Sequence, residues 1–391
     1  MVLREMAAVT AMNLRNIPSR KGSSLVIVVG IAGVVGVLIA LLSMSRGFDQ
    51  TLKGTGRDDC ALLLAAGVNA ELSSFVSRDL LPLIGELAGV KHDKDGKPLV
   101  SAELMIITEL KRGAASVNVA LRGVEPAGFA MRPNVHLVAG KMFGQGLHEL
   151  VAGKGAAQQF QGIAVGAHLK FRGSEWTVSG IFETGGDAHE SELWTDADTA
   201  RTAFGRIGAS SVLVQLESAA ALDTLKAAIK ADPRLQLDAT SEAEYFGAQS
   251  QGVSGSIGVL TNVVATIMAF GALFGALNTM FTAVSARQVE IATLRAIGFG
   301  GVSVVASVMA EAVLLAFLGG ALGAAVAYAL FNGMTGSTLG QGFTQVAFSF
   351  LVTPDLVVRG LAWAFVIGLL GGFFPAVRAA RLAVVEALRA A

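Results

Sequence analysis

The sequence predicts a membrane protein: an α-helical four-span bundle with a large α+β extracytoplasmic domain of two lobes. Three observations predict it. Charged residues make up 15% of the 391 residues and hydrophobic residues 53%, whereas soluble globular chains carry roughly 25% charged residues. Four segments stay apolar over the ~20 residues that a ~30 Å hydrocarbon core needs at ~1.5 Å per helical residue. Between the first and second of them, residues 46–253 hold most of the remaining charge and read as alternating strands and helices.

The first span, residues 24–45, contains no charged residue. Arg4, Arg15, Arg20 and Lys21 precede it, and Ala40-Leu-Leu-Ser-Met-Ser lacks a small-x-small ending, so it reads as a retained anchor rather than a cleaved leader. The second span, 254–285, is also uncharged. Its length corresponds to roughly 48 Å of helix, more than a bilayer core, so it is expected to project as a stalk. The third span, 302–331, holds Glu311 as its only charge, and the fourth, 356–375, holds Arg359 near its start.

Lysine and arginine placement orients these spans. Residues 1–23 carry four such cations, the 286–301 segment carries Arg287 and Arg295, and the 376–391 tail carries Arg378, Arg381 and Arg389, whereas 332–355 carries none. The bias of these residues toward the cytoplasm puts both termini and 286–301 inside. The 46–253 domain and the short 332–355 loop then lie on the outer side of the membrane. Leu3, Met6, Ala7, Leu14 and Ile17 share one helical face within 1–23, the pattern of an amphipathic helix on the inner surface.

In the outer domain Cys60–Ala66 reads as a strand and Glu71–Leu87 as a helix. Strand-like runs follow at 99–110, 116–124, 135–138, 149–152, 168–171 and 176–182, with a short helix at 155–162. A strand at 211–216, a helix at 219–231 and a strand at 235–239 complete the domain. Ser241-Glu-Ala-Glu244 then has the form of a capped helix start that runs into the second span. The charged turn Lys91–Pro98 divides a membrane-proximal lobe (46–95 and 205–253) from an inserted β-rich lobe (96–204).

Several function classes are disfavoured. A net charge of zero gives no case for nucleic-acid binding. The single cysteine, Cys60, rules out a disulfide within the chain and a thiolate zinc site. His92, His136, His148, His168 and His189 are scattered without ligand spacing, and the acidic run Gly185–Glu192 reads as a solvated turn. A phosphate loop needs glycine backbone N–H groups followed by Lys and Ser/Thr, and no Gly-x4-Gly-Lys-Ser/Thr occurs. Nothing marks a nucleophile or a carboxylate pair for acid–base work. The chain is expected not to be an enzyme by itself and to bind no cofactor or metal.

The chemistry concentrates at Arg287-Gln-Val-Glu-Ile-Ala-Thr-Leu-Arg-Ala-Ile-Gly298, a charged helix between two apolar segments. Arg287 and Glu290 lie three apart, Ile291, Leu294 and Ile297 share an apolar face, and Gly298 is a natural stop. Two arginines and a glutamate there fit a docking helix for a soluble partner. Within the spans, Gly271 with Gly275 and Gly319 with Gly323 have the small-x3-small spacing of close helix packing. Asn278 and Glu311 are the candidate intramembrane polar groups; Glu311 is either functional or paired with a nearby arginine.

Arg287-x2-Glu290-Ile-Ala-x-Leu-Arg295-Ala-Ile-Gly298 resembles the cytoplasmic signature of the MacB/FtsX-like permeases of ABC transporters, a group that includes the lipoprotein-releasing permeases. Two further stretches carry the likeness: Phe374-Pro375-Ala-Val-Arg378-Ala-Ala-Arg381 with Glu386-Ala-Leu-Arg389, and Val178-Ser-Gly-Ile-Phe182 with Ser191-Glu-Leu-Trp194. Val385 stands where the tail motif usually has proline. The resemblance implies a permease homodimer or pseudo-dimer driven by two copies of a separate ABC ATPase, which bind the ATP and Mg. On that reading Arg287, Glu290, Ile291, Leu294, Arg295 and Gly298 couple to the ATPase. It implies movement of the periplasmic domain, for export or extraction of a hydrophobic compound, peptide, lipid or lipoprotein with a periplasmic adaptor and an outer-membrane channel. The alternative it carries is a mechanotransmitting, FtsX-like partner that activates an envelope hydrolase without transport.

Overall fold

The computed structural model describes residues 2–15, 21–112, 115–339 and 345–383. Ile17 of the expected amphipathic face, and the tail motif from Val385 to Arg389, lie outside them. The elements run α1 (Val2–Arg15), α2 (Lys21–Lys53), β1 (Cys60–Ala65), α3 (Leu81–Gly85), β2 (Val100–Arg112), β3 (Ala115–Val124), α4 (Pro126–Ala130), β4 (His136–Gly140) and β5 (Glu149–Gly153). They continue α5 (Lys154–Gln159), β6 (His168–Phe171), β7 (Ser174–Glu183), β8 (Leu193–Asp196), α6 (Ala197–Phe204), β9 (Ser211–Gln215), α7 (Ala221–Ala231) and β10 (Leu237–Ser241). Then come α8 (Glu242–Ser285), α9 (Gln288–Ala296), α10 (Gly301–Phe331), β11 (Thr335–Leu339), β12 (Gln345–Ser349) and α11 (Pro354–Ala380). They form two compact units: Met1–Arg46 with Ser256–Met334 and Phe350–Ala391, and Gly47–Gly255 with Thr335–Ser349.

The first unit is helical. Among the described residues four helices are long and apolar enough to cross a membrane: α2 from Ser24, α8, α10 and α11. Inside a bilayer only helices or closed barrels satisfy every backbone group, so each apolar run closes its own hydrogen bonds. Small residues let these helices approach. A Cβ on Gly323 would fall 2.4 Å from the Ala32 carbonyl oxygen of α2, and one on Gly319 2.7 Å from that of Val28. A Cβ on Gly368 of α11 would fall 2.5 Å from that of Ala316 on α10. The shared core includes Ile31, Val35, Ile39, Leu315, Ala364 and Ile367.

The second unit is α+β. Among the described residues ten strands make one sheet in the order β10-β1-β9-β2-β3-β8-β5-β7-β4, with β6 on β7. β3 with β8 and β5 with β7 are parallel pairs; the others are antiparallel. The 13-residue β2 serves both halves of the sheet. Residues 100–103 pair with β9, and 104–112 pair with β3. One hydrophobic cluster gathers Leu63, Ile84, Val212 and Leu225, and another gathers Leu121, Leu150, Trp176 and Phe204.

Two departures from the sequence reading have local causes. The single helix expected over 71–87 is instead two 3-10 turns, Glu71–Ser73 and Arg78–Leu80, followed by α3. Val76 leaves the helical path to bridge Ala209, and Pro82 has no N–H to continue a helix through. The 332–355 loop contains the β11–β12 hairpin, whose Ala347 N–H donates to Ser191 Oγ at 2.8 Å. Phe348 meets Phe48 edge-on with centroids 5.7 Å apart.

A buried ion cluster holds the sheet unit together. Arg122 on β3 donates to Glu71 (2.8 and 3.1 Å), Glu103 (2.9 Å) and Glu192 (2.8 and 2.9 Å). Arg132 donates to Glu103 at 2.5 and 3.0 Å and to Glu242 at 3.4 Å. Buried charge is tolerable only when paired and hydrogen-bonded, and here four carboxylates face two guanidinium groups. Buried His189, with Nδ1 3.2 Å from Glu192, is placed to offset the excess. Burial alone pushes its pKa down, but the charge and hydrogen bond of Glu192 and the charge of Asp187 outweigh that and raise it. Burial pushes the Glu192 carboxyl up, and the charges of Arg122 and His189 outweigh that and hold it well below the usual carboxylate range.

A histidine whose folded pKa is raised contributes stability that is complete below its unfolded value and is lost as pH rises through the folded value. Thermal denaturation of the full chain in detergent should therefore show the midpoint of the sheet unit falling as pH rises from 6.5. His189→Gln should flatten that slope. Arg122→Met, which takes from Glu71 its cation and from Glu103 and Glu192 one of theirs, should cost about 3–5 kcal/mol.

Candidate functional site

The charged segment between the second and third spans forms an elbow. α8 ends at Ser285, and Arg287 leaves the helical path (φ −113°, ψ 15°) before α9 begins. At the other end Gly298 sits at φ 106°, a backbone region that favours glycine, and the Phe299 N–H returns to the Leu294 carbonyl at 3.1 Å. α10 then starts at Gly301.

Two arginines anchor the elbow from behind. Arg287, expected among the ATPase-coupling residues, is buried, at 7% exposure. Its Nη2 donates to both carboxylate oxygens of Glu311 on α10, at 2.9 and 2.7 Å. Its Nη1 donates to Asn13 Oδ1 on α1. Asn13 Nδ2 in turn donates to Glu311 Oε2 at 2.8 Å. The physical reason is Glu311 itself, a buried carboxylate on a spanning helix that needs a cation close by. Arg295 is half-buried, and its Nη1 donates to the Ala380 and Leu382 carbonyl oxygens, each at 2.8 Å. Those carbonyls lie at the C-terminal end of α11, where the helix dipole favours a cation. Arg378 also sits 5.5 Å from the Phe281 ring centroid.

The other expected residues divide by face. Ile291 is buried in the helical core with Ala292, and Leu294 is half-buried. Glu290 and Gly298 are exposed. They share the outer side of the elbow with Val289, 42% exposed, and Ile297, 69% exposed. Ile297 thus departs from the apolar face it was assigned with Ile291 and Leu294. A helix fastened on one side and presenting Val289, Glu290 and Ile297 on the other is chemically suited to a protein contact.

The intramembrane candidates also separate. Gly319 and Gly323 pack on α2, whereas around Gly271 and Gly275 a Cβ would meet nothing within 4 Å in this chain. Those two glycines and Asn278 are exposed, on a stripe of α8 with Ile267, Phe270 and Phe274. Asn13 escaped sequence reasoning; its only signal is a polar residue near the apolar face of α1. Among the described residues no group of three or more His, Cys, Asp or Glu could hold a metal.

Comparison with known proteins gives the family. The family model for the MacB-like periplasmic core domain matches residues 23–232, and that for the FtsX-like permease C-terminal region matches 262–384. The macrolide export ATP-binding/permease protein MacB of Nitrobacter winogradskyi is 30% identical over 250 residues, covering 60% of this chain and 37% of that protein. The chain therefore spans well under half of that relative. The uncharacterized ABC transporter permease YknZ of Bacillus subtilis is 24% identical over 412 residues, covering 97% of this chain and 98% of that protein. The crystal structure of the periplasmic region of MacB from Actinobacillus actinomycetemcomitans aligns with a TM-score of 0.37 at 14% identity, over 50% of this chain and 94% of that one.

Arg295→Ala should remove both bonds to the end of α11. The expected result is a loss of about 2 kcal/mol in detergent denaturation, with faster proteolysis after Ala380. Arg295→Lys, which keeps the charge but has a shorter reach than Nη1, should recover only part of it.

Proposed function

Because this chain belongs to the MacB-like and FtsX-like permease family of ABC transporters, we propose that it couples ATP hydrolysis by an ATPase outside this sequence to movement of its periplasmic domain. The observation that carries the reading is the elbow: Val289 and Ile297 are exposed on its outer face, and its inner face is bolted to α10 through Arg287 and Glu311 and to the end of α11 through Arg295. A push on Val289, Glu290 and Ile297 is thereby delivered to two spanning helices. α8 supplies a path for that push, since it is one unbroken helix of 44 residues, roughly 66 Å at the α-helical rise, that follows β10 in the chain and ends at the elbow.

In this reading two ATPase copies, which bind ATP and Mg, act on two permease copies in a bacterial inner membrane, with termini and elbow cytoplasmic. The differential affinity of the ATPase for two permease arrangements supplies the work. The cargo class is a hydrophobic compound, peptide, lipid or lipoprotein, handed to a periplasmic adaptor and an outer-membrane channel. The FtsX-like match over 262–384 supports a second reading, in which the same movement activates an envelope hydrolase without transport.

The test is copurification of the full chain from its own cells in mild detergent, with mass spectrometry of what accompanies it. Wild type should bring down an ABC ATPase, together with an adaptor on the first reading or a hydrolase on the second. Glu290→Lys and Ile297→Asp should each lower ATPase recovery and its stimulation by about tenfold, equal to ~1.4 kcal/mol of contact energy. Unchanged recovery in both variants would place the contact elsewhere and sink the reading.

A further inference from the structure

We propose that Asn13 is a positioning residue that makes α1 a second arm of the cytoplasmic elbow, so that movement at the start of α9 is passed to α1. The proposal deepens the coupling reading above and rests on it for its functional half. Its structural half stands on the chain alone.

The argument begins with atoms. Arg287 Nη2 serves both oxygens of Glu311, which leaves Nη1 in need of an acceptor in a buried place. Asn13 Oδ1 is that acceptor. The same amide turns its Nδ2 to Glu311 Oε2 at 2.8 Å and to the Ser307 carbonyl oxygen at 3.3 Å. A side-chain amide, with an acceptor and a donor on one carbon, can face a guanidinium and a carboxylate at once. Aspartate would set a second anion against Glu311, and leucine would leave Nη1 without a partner.

The consequence is mechanical. Arg287 is the residue immediately before α9, Glu311 lies on α10, and Asn13 lies on α1, so one hydrogen-bonded ring joins three elements. Val9, one turn before Asn13, is buried as well, and its carbonyl accepts from Ser307 Oγ at 3.4 Å. The 14 residues of α1 are about the length at which an isolated helix is marginal in water. Its order therefore depends on what it is fastened to. A helix resting only on lipid would be indifferent to the charges on α9 and α10; a helix held by this ring would not. A tilt of α9 that draws Arg287 away from Glu311 also takes Arg287 from Asn13 Oδ1 and leaves α1 held to α10 by Glu311 and Ser307, so the elbow cannot move freely without drawing on α1 or breaking its link to it.

Hydrogen–deuterium exchange on the full chain in lipid nanodiscs reads this directly, with peptides of α7 as the control for intact folding. Asn13→Asp should speed exchange of α1 amides by about tenfold and leave α7 unchanged. Asn13→Asp combined with Glu311→Gln moves the carboxylate to α1 and the amide to α10. It restores the charge balance and the hydrogen bonds among positions 13, 287 and 311, though not the one to the Ser307 carbonyl oxygen, and should return exchange most of the way to the wild-type rate. A role of size or packing alone predicts no such rescue. Unchanged α1 exchange in Asn13→Asp, or a double variant no better than the single, overturns the ring. In the purified complex with the copurifying ATPase, Asn13→Asp should lower ATPase stimulation, and the double variant should recover it. Wild-type stimulation in Asn13→Asp would reduce α1 to a passive clip and overturn its role as an arm. Failure of the coupling reading shows elsewhere, in the indifference of ATPase recovery to Glu290→Lys and Ile297→Asp.

Discussion

A carboxylate on a spanning helix cannot be left alone, and most of what distinguishes the helical unit follows from that constraint. Glu311 is almost fully buried on α10, where an unpaired charge would cost several kcal/mol. Arg287 answers it, and in doing so is withdrawn from the surface of the elbow. Its withdrawal defines which side of α9 remains open. The second guanidinium nitrogen then recruits Asn13, and with it α1. One ionic requirement thus sets the orientation of α9, the attachment of α1 and the face available for a partner.

The sheet unit meets a related constraint with a different outcome. Arg122 and Arg132 are each engaged by more than one carboxylate, and the anions outnumber the guanidinium groups. The residues come from separate segments: Glu71 from a 3-10 turn, Glu103 from β2, Arg122 from β3, Glu192 just before β8 and Glu242 from the first turn of α8. Such a cluster specifies which strands and turns come together, because any other pairing would leave a charge stranded in the interior. The excess of anions raises the His189 pKa, so the stability of the sheet unit depends on pH.

Glycine acts in these helices through absence of volume more than through backbone freedom. At Gly319 and Gly323 the carbonyls of α2 occupy the space a side chain would need. The same spacing at Gly271 and Gly275 faces nothing within this chain. A small-x3-small pattern identifies helices able to approach closely, but the neighbour that uses the groove is not encoded in the pattern itself.

Local sequence determined the number of spans, the capped start of α8, the elbow with its glycine stop, the strand-rich character of 46–253 and the family signature, because hydropathy, alternation and turn chemistry are read over a few residues at a time. It also made Glu311 conspicuous, since a lone charge in an apolar run stands out. Only the tertiary structure decided that its partner is Arg287, 24 residues away, and that Asn13, 298 residues from Glu311, completes the ring. The same holds for the buried cluster around Arg122 and for the break in the 71–87 helix, which Val76 leaves to bridge Ala209. Each depends on which distant groups arrive at one place. The energy that selects among them, the avoidance of unpaired buried charge, exists only once the chain has closed around it.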